Sequence, residues 1–157
     1  MEKITRVSRI IKKLYYKIFI ENYNKQITYT FPVDYFRWDL IKYLHEKYKF
    51  NTYLEIGCDK DQLFSRINIK KKFGVDPFSG GNIRKASDEF FKDNKETFDL
   101  VFIDGLHEYS QVKKDILNSL KFLNKDGLIL VHDCLPESLS LIHISEPTRR
   151  SWISYAV

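Results

Sequence analysis

Apolar residues fall into two rhythms along this chain. Short continuous runs return at "TYLEI" (52–56), "KFGVD" (72–76), "FDLVFID" (98–104) and "LILVHD" (128–133), with a weaker one at "NIRKA" (82–86). Each is bounded by glycine, aspartate or a polar stretch and predicts a strand. Between them the spacing changes to three and four. "HEYSQVKKDILNSLKFL" (107–123) places Val112, Ile116, Leu120 and Leu123 on one helical face, "SDEFFKDNK" (87–95) reads as a helix capped by Ser87, and another helix is expected to begin near Asp61. Ahead of the first strand, residues 33–50 predict an amphipathic helix with Asp34 as N-cap and Phe36, Leu40, Ile41 and Leu44 as its apolar side. Residues 4–19 predict a leading helix, with Ile4, Val7, Ile11, Leu14 and Ile18 in its stripe.

Strands with no polar face, alternating with helices, imply a mostly parallel sheet covered on both sides. The expected fold is an α/β, Rossmann-like three-layer sandwich with strand order 3-2-1-4-5. Ligands in such sheets sit beyond the carboxyl ends of the strands. Four of the five strand ends carry an acid there: Glu55, Asp76, Asp104 and Asp133. Core packing does not call for carboxylates at that edge, whereas a binding site does.

Composition changes this picture little. The 157 residues carry a net charge of +5, which suggests a polyanion partner until its location is read. Residues 1–22 hold six bases against two acids, while residues 23–138 hold 18 of each. The body is neutral, and a nucleic-acid groove is not indicated. The basic helix within residues 1–24 packs on the domain or makes peripheral membrane contact. Cys58 and Cys134 are too few for a disulfide framework, so reduced thiols and a cytoplasmic location are expected.

The chemistry concentrates after the first strand. Gly57 permits a tight turn into the following loop, and Asp76, 19 residues later, can accept both hydroxyls of a ribose. Dinucleotide enzymes share that spacing but cradle a pyrophosphate with two or three glycines. Here "GCDKDQ" follows its single glycine with Asp59 and Asp61, and two carboxylates repel a diphosphate. A cationic, phosphate-free cofactor is compatible with them.

"YLEIGCDKDQ", "FGVDP", "ASDEFF", "FDLVFIDGLHEYSQVKKDI" and "DGLILVHDCLP" together resemble successive motifs of class I S-adenosylmethionine-dependent methyltransferases. The resemblance covers about residues 50–136 and is closest to a small bacterial branch whose fourth strand ends in I-D-G-x-H. It implies S-adenosylmethionine as cofactor and methyl transfer to an O or N nucleophile of a small-molecule or sugar acceptor. By the same resemblance Glu55 helps place the methionine end, Gly57 forms the first loop, Asp76 takes the ribose, and Ser87 and Asp88 lie where the adenine is held. Asp104 and His107 fall beside the expected methyl. His107 is the candidate general base, with helix capping as its alternative role. Asp104 and Asp133 also resemble the acids that bind a divalent cation in metal-dependent O-methyltransferases, although Cys134 follows where those have asparagine and is a poor magnesium ligand. His132 is expected to satisfy strand-end backbone. Tyr35, Phe36, Trp38 and Tyr109 pack in the core or line an acceptor pocket. A nicotinamide- or nucleotide-sugar-binding enzyme and a non-catalytic adaptor of the same fold stand as the rival readings.

The stretch "LSLIHISEPTR" (139–149) and the end "ISYAV" (153–157) fit no element of this pattern and resemble translated sequencing adapter. The expected organisation is therefore a basic helix at 1–24, a methyltransferase domain at 25–138 lacking its C-terminal strands, and a non-native tail at 139–157. On that reading "LILVH" is an open apolar edge, and the 157-residue polypeptide is expected to be poorly soluble and inactive.

Overall fold

A computed structural model describes residues 34–133 and the backbone of residues 153–156. The expected basic helix at 1–24 and most of the C-terminal tail lie outside the described residues. The described elements are α1 (Arg37–Tyr48), β1 (Thr52–Ile56), a 3-10 turn (Phe64–Arg66), β2 (Lys71–Val75), α2 (Ser87–Asp93), β3 (Phe98–Ile103), α3 (Tyr109–Lys121), β4 (Leu123–Val131) and β5 (Ile153–Ala156). The sheet runs β2-β1-β3-β4-β5, parallel through its first four strands.

Strict alternation along the central strands divides the interior in two. Tyr53 of β1, Leu100 and Phe102 of β3 and Leu130 of β4 face Ile41 of α1 together with Leu63, Phe64 and Ile67. Leu54 and Ile56, Val101 and Ile103, and Ile129 and Val131 face Phe90 and Phe91 of α2 and Val112 and Ile116 of α3. Both faces of each central strand are buried, which is why these runs lack a polar rhythm.

Several boundaries differ from the sequence expectation. Residues 82–86 contribute one parallel bridge, Val75 to Ile83, rather than a strand, so the expected order survives with its outermost member reduced to a contact. Beyond Asp61 the chain makes only the three-residue 3-10 turn, because Asp59 and Asp61 both adopt left-handed backbone (φ 43° and 59°) that no α-helix accommodates. Phe36, not Asp34, precedes the first turn of α1; its amide donates to Asp39 Oδ2 at 3.0 Å. Ala86 likewise takes the N-cap place of α2, and Ser87 is the first helical residue. β4 begins at Leu123, earlier than expected, and absorbs the "KDG" turn as an irregularity: Leu123 pairs with Phe98, then Leu128 with Leu100.

The edge of β4 is not open. Ile153–Ala156 pairs antiparallel with it, Leu128 opposite Ala156 and Val131 opposite Ile153. An unpaired strand edge offers a row of backbone donors and acceptors, and any extended segment within reach can satisfy them. Among the described residues no helix is long and apolar enough to cross a membrane.

Candidate functional site

The carboxyl ends of β1 and β3 meet at one point. Past the end of β1, the Gly57 amide donates to the Val75 carbonyl at 2.9 Å, and the Asp104 amide donates to the Ile56 carbonyl at 2.8 Å. Gly57 sits at φ 84°, and a Cβ there would fall 2.3 Å from the Asp104 carbonyl oxygen. Only glycine allows β1 to turn this close to the chain leaving β3.

A hollow of about 210 Å³ opens at that junction. It is lined by Glu55 at the end of β1, by Gly57, Cys58, Asp59, Lys60 and Gln62 of the following loop, by Asp104 and His107 after β3, and by Arg37 of α1. Its volume is below the ~300–1,000 Å³ of pockets that enclose a whole drug-sized ligand, so it suits one end of a longer molecule.

Charge in the hollow is organised by Asp104. Arg37 Nη1 donates to Asp104 Oδ2 at 2.6 Å, His132 Nδ1 lies 2.9 Å from Oδ1, and His107 Nε2 lies 3.8 Å from the same oxygen. Glu55 is buried within β1 and accepts the Tyr53 hydroxyl at 2.7 Å. Burial pushes the Glu55 carboxyl up to about 7, against the lowering influence of the Tyr53 hydroxyl and the Arg37 guanidinium. Burial also holds the Tyr53 hydroxyl well above its ordinary value, with the neighbouring Glu55 charge adding to it.

Of the residues singled out in the sequence, Glu55, Gly57, Asp104 and His107 come together here. Asp76 closes the end of β2 behind the loop, with its carboxylate turned onto backbone amides of Cys58, Asp59, Phe78 and Ser79. Ser87 and Asp88 lie against α3, where Gln111 Nε2 donates to Ser87 Oγ at 3.2 Å and Asp88 Oδ1 at 3.3 Å, and Lys114 pairs with Asp88 at 3.2 Å. Asp133 Oδ1 is 3.2 Å from His132 Nδ1, so that imidazole stands between Asp133 and Asp104. Among the described residues no group of three or more His, Cys, Asp or Glu side chains is arranged to hold a metal ion. His132 does more than satisfy backbone, since its ring contacts both acids.

Arg37 was not singled out in the sequence, lying 67 positions from its partner. The one weak signal is its place: a cation in the first turn of a helix opposes the macrodipole, which does not by itself identify a partner.

Residues 51–134 match the family model described as a methyltransferase domain, more than half of the chain, including β1 to β4 and every lining residue of the hollow except Arg37. The chain belongs to that methyltransferase-domain family. No curated protein matches it. Among solved structures, the domain is similar to a candidate O-methyltransferase from Klebsiella pneumoniae (TM-score 0.53, 9% identity, 86% of this chain and 80% of that one). A candidate caffeoyl-CoA O-methyltransferase from Staphylococcus aureus matches at TM-score 0.51 and 20% identity, covering 82% and 67%. The O-methyltransferase TomG from Streptomyces achromogenes, solved with SAM, matches at TM-score 0.51 and 11% identity, covering 69% and 64%. At such low identities the structural likeness shows a shared fold alone. The chain spans less than two thirds of several matched methyltransferases, 62% in one and 33% in another.

Proposed function

We propose that this methyltransferase domain binds S-adenosylmethionine and transfers its methyl group to an O or N nucleophile of a small-molecule or sugar acceptor. The observation that carries the reading is the donor set of the rim. Three carboxylates (Glu55, Asp59, Asp104) and two fixed cations (Arg37, Lys60) line a hollow sized for one end of a ligand. That set suits an amino-acid end beside a positive centre. Arg37 would take the carboxylate, and Glu55 with Asp104 would face the ammonium and sulfonium charges. The loop that would have to cradle a diphosphate offers little to one, since its Cys58 and Asp59 amides already donate to a carboxylate. This favours S-adenosylmethionine over a nicotinamide dinucleotide.

Bound S-adenosylmethionine supplies an electrophilic methyl carbon on a sulfonium sulfur. The protein's share is alignment and proton removal. His107 is half-exposed at the mouth, near enough to Asp104 for the carboxylate to orient its ring and free enough to meet an acceptor. It would accept the proton from the acceptor's hydroxyl or amine, and Asp104 would stabilise the resulting imidazolium.

Calorimetric titration tests the reading. S-adenosylmethionine and S-adenosylhomocysteine are expected to bind, and NAD is not; comparable NAD affinity, or no binding by either adenosyl ligand, would overturn it. Against a panel of hydroxylated and amino acceptors, His107→Ala is expected to lower transfer by roughly 10²–10⁴-fold while leaving cofactor affinity nearly unchanged. Unchanged transfer would remove His107 from the mechanism.

A further inference from the structure

Tyr53 does not line the hollow, yet among the described residues its hydroxyl is the one hydrogen-bond donor to the Glu55 carboxylate, meeting Oε2 at 2.7 Å. The two residues stand two apart on β1 and so share a face. Beside Glu55 the sheet offers no other donor. Its register partners are Gly74 on β2, which has no side chain, and Phe102 on β3, a buried ring. Oε2 is thus held from the core side, and Oε1 accepts from no described residue.

Core packing does not call for that hydroxyl. Tyr53 is fully buried in the cluster of Ile41, Phe50, Leu100 and Phe102, where a phenylalanine ring would fill the same space. Burying a phenol and a carboxyl together costs solvation at both groups, and an apolar pair of the same shape would stabilise the fold at least as well. The use of the hydroxyl therefore lies in the carboxylate it holds. Burial keeps the phenol well above its ordinary value, so it remains a donor across the neutral range. Burial likewise raises Glu55; of the charged groups facing it, Tyr53 and Arg37 lower it and Asp104 and Asp61 raise it, while the Cys58 thiol beside them is kept protonated by its own burial.

We propose that Tyr53 is a positioning residue for the methyl-transfer site: its hydroxyl fixes Oε2 of Glu55 and leaves Oε1 to receive the cationic end of the ligand. A hydrogen bond donated to the charged form of an acid also favours that form. The hydroxyl therefore lowers the pH at which the floor of the site becomes anionic. The identity of the ligand rests on the methyltransferase reading, whereas the hold of Tyr53 on Glu55 stands without it.

Tyr53→Phe removes one oxygen and keeps the ring. In ligand-free protein carrying ¹³C-labelled glutamate, the Glu55 carboxyl is expected to titrate roughly one to two pH units higher in this variant than in the wild type, the equivalent of one hydrogen bond to a charged group. An unmoved midpoint would overturn the proposal. Binding supplies the second arm. At pH 7, calorimetry is expected to show S-adenosylhomocysteine held roughly tenfold more weakly by Tyr53→Phe, with no further loss when the same change is made in Glu55→Gln. A loss of equal size in both backgrounds would mean that the hydroxyl acts through packing, and would overturn the proposal as well. Wild-type protein that binds no adenosyl ligand would end the methyl-transfer reading, while the carboxyl titration still decides whether Tyr53 governs Glu55.

Discussion

Glu55 lies between Leu54 and Ile56 in β1, on the face that Tyr53, Leu100 and Phe102 share, and only 1% of its surface reaches solvent. A carboxylate buried in a strand destabilises the fold whenever it is ionised, so its placement points to ligand binding rather than packing. The sign follows from its raised value. The folded state holds the proton more tightly than the unfolded chain, so the associated stability is complete below about 4.5 and lost as pH rises through about 7. Glu55→Gln is therefore expected to stabilise the ligand-free protein at pH 8 by roughly 3 kcal/mol, with little effect at pH 4. Denaturant melts at the two pH values check this, and equal shifts at both would contradict it. The same variant should bind the cationic ligand more weakly at pH 8. Glu55 was legible because an acid in an apolar run stands out. Arg37 was not, because a base on an amphipathic helix ordinarily belongs to its wet face.

At the level of elements, what the sequence revealed tracks what burial imposes. β1, β3 and the second half of β4 are apolar on both faces, so their extent could be read directly. Residues 82–86 make only one bridge, because they leave β2 after a loop clamped by Asp76 and Asp61 rather than along a free strand edge. The missing helix after Asp61 has the same origin: side chains bonding to backbone amides fixed a turn that local propensity did not foretell. Ser87 drew notice as a helix cap and, with Asp88, through the family resemblance as the place of the adenine, but α3 supplies their partners across an interface no single segment encodes. At the far edge, backbone pairing joins β5 to β4. Deleting residues 153–157 would uncover Leu128–Val131 and is expected to increase self-association, read by light scattering at matched concentration. Unchanged scattering would mean that this pairing does not protect the edge.

For the molecule as a whole, the sheet brings the ends of β1 and β3 to one rim and α1 adds Arg37, so the hollow is built from elements separated in sequence but joined by a few hydrogen bonds. A ligand bridging Arg37, the first loop and the β3 exit would brace three segments at once. At a hundred times its dissociation constant, S-adenosylhomocysteine is expected to raise the melting temperature by roughly 5–10 °C, the shift for about 2.7 kcal/mol in a chain of this size. Differential scanning calorimetry reads it, and NAD at the same concentration should leave the transition unmoved.

The contact between Gly57 and the Asp104 carbonyl limits how this domain can diversify. Strand ends locked at that distance cannot spread to admit a bulkier guest, and any larger side chain at the crossing would wedge them apart. Room for a larger ligand must therefore come from exposed peripheral positions such as Leu106, leaving the central junction as it is.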